Sequence, residues 1–157
     1  MKTTYKSIAL LTFLLLLLSP SKSFSHCQIP CGIYEDSLRI KLLEEHITTI
    51  EKSMTEINSL TEQDTPNYNQ IVRWVNNKEV HANKIQTIVS EYFLHQRIKV
   101  VAKDNHNYAS YVQNLEYLHQ ISVYAMKSKQ STDVKLIPQL RKILQLFSVH
   151  YFNAHQH

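Results

Sequence analysis

Both cysteines of this 157-residue chain, Cys27 and Cys31, fall in one short stretch, SFSHCQIPCGIYED at 23–36. The chain's only glycine, Gly32, and one of its four prolines, Pro30, stand there too. If the chain is cut before His26, the free amine of His26, the peptide nitrogen of Cys27 and the Cys27 thiolate lie close together along one short segment. They can close two fused chelate rings around a metal ion. Cys31 brings a second thiolate back over a turn that Pro30 helps to set and Gly32 relieves. The result is two nitrogens and two sulfurs in one plane, with the His26 imidazole able to approach axially. Planar coordination including nitrogen suits Ni(II) or Cu(II), whereas zinc prefers a tetrahedron. Thiolate and deprotonated amide are strong anionic donors that stabilise a higher oxidation state. With one axial position open, the donor set points to one-electron chemistry.

What precedes His26 has the order of a secretory leader. Lys2 and Lys6 are followed by the apolar run IALLTFLLLLL, Ile8 to Leu18, and then by the polar segment SPSKSFS. The run is shorter than the roughly 20 residues that span a bilayer. Ser23 and Ser25 supply small residues at −3 and −1 of a cut before His26. The expectation is a cleaved leader over 1–25, a domain over 26–157, no stable membrane anchor after cleavage, and export to a periplasm, an organelle lumen or the outside.

Lys2, Lys6 and Lys22 carry three of the formal +4 charges, so removal of the leader, which contains no acid, leaves +1. The remaining basic residues are spread out, which argues against a nucleic-acid partner. A phosphate-binding glycine loop is excluded by the single glycine. A Cys27–Cys31 disulfide stays open as an alternative, although so short a loop stabilises little. With it comes a rival reading, a small secreted helical interaction protein; a metal carrier without turnover is another.

The elements that must position this segment read as helices. After Tyr34 there is no glycine, and only Pro66 and Pro138 interrupt helix-compatible sequence. Leu43, Ile47, Ile50, Met54, Ile57 and Leu60 form one stripe on a helix near 36–61. A second helix spans about 67–94, with Ile71, Trp74, Val75, Ile85, Ile88, Val89 and Tyr92 facing inward. A third spans about 107–128, with Tyr108, Tyr111, Val112, Leu115, Leu118, Ile121 and Tyr124. A fourth, capped by Ser131 or Thr132, carries Val134, Ile137, Leu140, Ile143, Leu144, Phe147 and Tyr151. Pro138 is expected to kink this helix or shift its start. The fold class is all-α: an antiparallel four-helix bundle with an N-terminal metal-binding hook. The other histidines are scattered and read as surface or internally satisfied groups.

The run H-C-x-x-P-C-G-x-Y, His26 to Tyr34, resembles the nickel hook of the nickel-containing superoxide dismutases, and the resemblance extends across 26–157. It implies disproportionation of superoxide at one nickel ion per subunit, in a homohexamer. It implies that His26 supplies the terminal amine and an axial imidazole, Cys27 its amide nitrogen and thiolate, and Cys31 the second thiolate. Tyr34 would stand over the open face. Ser90-Glu91-Tyr92-Phe93 is similar to the family's helix-borne tyrosine, which makes Tyr92 a second gate. The family orients its axial histidine through a carboxylate and an arginine. Counting from the flanking motifs puts Leu42 and Asn77 at those positions, with Glu44, Glu45, Arg39 and Arg73 as nearby alternatives.

Overall fold

The computed structural model describes residues 35–154, and every regular element among them is helical. Helix α1, Asp36–Thr61, buries the stripe Leu43, Ile47, Ile50, Met54 and Ile57, in the spacing and over the range that periodicity predicts. Thr61 to Pro66 makes the connection, and Asn67 caps α2 by accepting from the Gln70 N–H at 3.2 Å.

Helix α2, Tyr68–Thr87, does not end at 94 as expected. It continues as a π-helical segment, Ile88–Arg97. The wider winding shows in the Ile98 N–H, which donates to the Phe93 carbonyl five residues back at 2.8 Å. Gln96 Nε2 reaches the Glu91 carbonyl at 2.7 Å along the same segment. After the polar connection through Lys103–Asn107 come α3, Tyr108–Gln130, and α4, Leu136–Ala154.

The start of α4 differs from expectation. Ser131 Oγ accepts from Asp133 N–H, and Asp133 Oδ1 accepts from Lys135 N–H, so the helix is set up by the turn at Asp133 and begins at Leu136. Pro138 is then its third residue. The missing N–H falls among the first-turn donors that have no intrahelical acceptor, so the proline costs the helix nothing there.

Along α1 and α2, Ser53 meets Asn77, His46 meets His81 and Asp36 meets Tyr92. Gln86 reaches Ser122 and Lys78 reaches Ser128 between α2 and α3. Ser110 meets His150 between α3 and α4, and Arg141 closes the ring onto Glu44 and Glu51 of α1. The result is a helical bundle around one apolar core. At one end that core is aromatic, where Phe93 meets Phe147 and Tyr151 edge-on at 5.0 and 5.6 Å. Val75 and Val112 fall outside it, at 36 and 42% exposed, at the margin of their helices' stripes, and Val134, at 39%, lies in the turn before α4. Ala82 and Phe93, absent from the expected stripes, are fully buried.

Candidate metal centre and its anchor

His26, Cys27, Cys31 and Tyr34 lie outside the described residues. The described chain begins at the point where that segment joins the bundle, and there the structure is densely built. Asp36, the first residue of α1, turns its carboxylate onto three partners from two other elements. Arg97 grips it with Nε on Oδ1 and Nη2 on Oδ2, both at 2.8 Å. Tyr92 Oη donates to Oδ1 at 2.5 Å, and Tyr151 Oη donates to Oδ2 at 2.8 Å. The Arg39 guanidinium lies 5.0 Å over the Tyr92 ring, and that of Arg97 lies 5.7 Å from it.

The electrostatics follow from this packing. Burial alone would raise the Asp36 carboxyl; hydrogen bonds from Arg97, Tyr92 and Tyr151 outweigh it and hold the group below its ordinary value. Burial and then the Asp36 carboxylate push the Tyr92 phenol up to about 12, and the same causes raise Tyr151. Arg97 is raised by its bond to Asp36. At neutral pH the cluster is therefore one carboxylate, one guanidinium and two protonated phenols. Arg97 and Tyr151 also line an open cleft of about 990 Å³ with Lys99, His106, Asn114 and His150.

The structure brings Tyr92 to this end of the bundle, 1% exposed, with its hydroxyl given to Asp36. The counted carboxylate and arginine positions behave otherwise. Leu42 is half-buried, and Asn77 donates to Ser53 Oγ. Glu44 is bound to Arg141, while Glu45 and Arg73 are exposed. Of those alternatives only Arg39 joins the cluster. The carboxylate–arginine pair of this cluster is Asp36–Arg97, its acid two residues after Tyr34 in sequence, and sequence reasoning missed it. The hint available was an acid at the first position of a predicted helix, directly behind the hook.

Among the described residues no group of three or more His, Cys, Asp or Glu could hold a metal ion. The sequence-expected donors His26, Cys27 and Cys31 lie outside those residues, and their thiolate and nitrogen chemistry is of the kind that suits nickel. Among the described residues no helix is long and apolar enough to cross a membrane.

The family model for nickel-containing superoxide dismutase matches residues 21–155, hook and bundle together, and the chain belongs to that family. It is accordingly an oxidoreductase that disproportionates superoxide, with nickel as its cofactor, one ion per subunit. Neither a curated protein nor a solved structure matches the chain at a significant level. The reading as a secreted interaction protein with a Cys27–Cys31 disulfide gains no support from the match.

Proposed function

We propose that the mature enzyme begins at His26 and that the new terminus is the nickel site, carried by an antiparallel four-helix bundle. His26 holds the ion through its terminal amine and imidazole, Cys27 through its amide nitrogen and thiolate, and Cys31 through its thiolate. The observation that carries this reading is the run His26-Cys27-x-x-Pro30-Cys31-Gly32-x-Tyr34, placed two residues ahead of an acid that the bundle grips with four hydrogen bonds. When bound, nickel supplies a Ni(II)/Ni(III) couple that accepts an electron from one superoxide and returns it to the next.

The protein's own residues do the rest. Two superoxide anions and two protons give dioxygen and hydrogen peroxide, so the site must admit a small anion and release a neutral oxidant. Tyr34 limits access from the open side. Tyr92, kept protonated, closes the bundle side as a fixed wall. Restricted access matters because exposed thiolates would be oxidised by the product. Export through cleavage of residues 1–25 and assembly into a homohexamer complete the proposal.

The test combines native mass spectrometry with activity. A mass starting at His26, one nickel per chain and a sixfold assembly are expected. One extra residue before His26 displaces the terminal amine, so nickel and activity should both be lost, as they should in Cys27→Ser and Cys31→Ser. Turnover at the parent rate in any of the three would overturn the ligand assignment.

A further inference from the structure

Asp36 is gripped more firmly than a helix start requires. An acid in the first turn already interacts favourably with the helix dipole when it simply faces solvent. Here the carboxylate turns inward, is 13% exposed, and accepts from Arg97, Tyr92 and Tyr151 at once. Two of those donors stand five residues apart on one segment. In an α-helix, residues five apart point about 140° away from each other, onto different faces. The π winding of Ile88–Arg97, whose hydrogen bonds span five residues, stacks Tyr92 and Arg97 on one face. The rare winding thus has an identifiable result: it brings a phenol and a guanidinium to the same acid.

That acid is also a tether. Cys31 precedes it by five residues and Tyr34 by two. At a maximum of about 3.6 Å per residue, the Cys31 α-carbon cannot lie more than roughly 18 Å from that of Asp36, nor Tyr34 more than roughly 7 Å. The position of Asp36 therefore bounds how far from the bundle these two residues can stand.

We propose that Asp36 and Arg97 are positioning residues of the nickel site, fixing at once the Tyr92 phenol and the point where the hook leaves the bundle. The proposal rests on the reading that the hook holds nickel. Asp36 and Arg97 act through Tyr92 and through the backbone of α1, and neither touches the metal. Arg39 completes the surroundings of Tyr92, stacked over its ring.

The test uses the mature nickel-loaded protein and its Asp36→Asn and Arg97→Lys variants. Native mass spectrometry first establishes nickel in the parent; its absence from the parent would sink the hook reading, and this proposal with it. With nickel in place, NMR of 13C-labelled tyrosine follows each phenol. The Tyr92 titration should move down from about 12 in Asp36→Asn, because a neutral amide replaces the carboxylate that raised it. The Ni(III) electron paramagnetic resonance signal should broaden or shift, and kcat should fall about tenfold, the scale seen when groups behind metal ligands are removed. Arg97→Lys keeps the charge and the carboxylate but loses the two-point grip, and should change the Ni(III) signal and kcat less than Asp36→Asn does. If the Tyr92 titration moves while the Ni(III) signal and kcat stay at parental values, the cluster is a helix clamp and the proposal fails. If the Tyr92 titration does not move in Asp36→Asn, it also fails. Should Asp36→Asn not fold, Arg97→Lys decides alone, on the Ni(III) signal and kcat: parental values for both overturn the proposal.

Discussion

Lys78 sits in the register of an apolar stripe, between Trp74 and Ala82, and is 3% exposed. Its ammonium donates to the carbonyls of Ser128, Lys129 and Ser131 at 2.6, 2.5 and 3.2 Å. These belong to the end of α3, where the last carbonyls lack intrahelical partners and the helix dipole is negative. Burial lowers the pKa of Lys78, and the Glu79 carboxylate at 3.9 Å works against that shift. Lys78→Met keeps the stem but strips three acceptors of their donor, so a loss of about 1–3 kcal/mol is expected from urea denaturation. An unchanged midpoint would show that water replaces the ammonium. At this scale the sequence is only partly legible. Lys78, expected from its charge on a solvated helix face, is buried instead; its register between Trp74 and Ala82 was the signal that charge alone overrode. Asp36, Arg97 and Tyr151 could not be grouped, because they are 61 and 115 positions from Asp36 and no spacing rule joins them.

The seam between α1 and α2 holds a second polar feature. His46 and His81 approach through their Nδ1 atoms at 3.2 Å, one ring donating and the other accepting according to tautomer. Burial first, then His81 and Lys84, lowers His46 to about 4; burial and Lys84 lower His81 as well. The sign is that of a base kept neutral by folding. Above about 6.5 both states are neutral and the pair is indifferent to pH. Between there and about 4 the unfolded chain takes up protons that the folded one refuses, so stability falls with falling pH. Thermal unfolding should show a declining Tm over that window, and His81→Gln should flatten the decline. A slope unchanged by the substitution would assign it to other groups. The elements around this seam were legible, since four apolar stripes at helical spacing mark four helices and α1 keeps the predicted bounds. The π segment was not, because Ile85, Ile88, Val89 and Tyr92 fit an α-helix equally well. The start of α4 was missed for a similar reason: Asp133 organises the turn through its own side chain, and its neighbours Ser131 and Thr132 look like the better caps.

Over the whole molecule, the aromatic rings of the core gather at the end that carries Asp36. Phe147 is fully buried there, edge-on to Phe93 at 5.0 Å and tilted against Tyr151 at 5.4 Å. Phe147→Ala should cost about 3–5 kcal/mol in chemical denaturation with an unchanged slope. A cost under about 1 kcal/mol would mean that the neighbouring rings collapse into the space. The family was more legible than the packing because the motif that carries the resemblance is compressed into nine consecutive residues, His26 to Tyr34, while the packing is distributed over more than a hundred.

The grip on Asp36 has a consequence for how the enzyme is made. Its carboxylate, guanidinium and two phenols all come from residues 36–151, on the bundle side of any cut before His26. The bundle therefore has what it needs to close while the leader is still attached and before nickel is present. Under the proposed processing, folding, trimming and metal capture would be separable events, with trimming acting on a chain whose bundle is already closed.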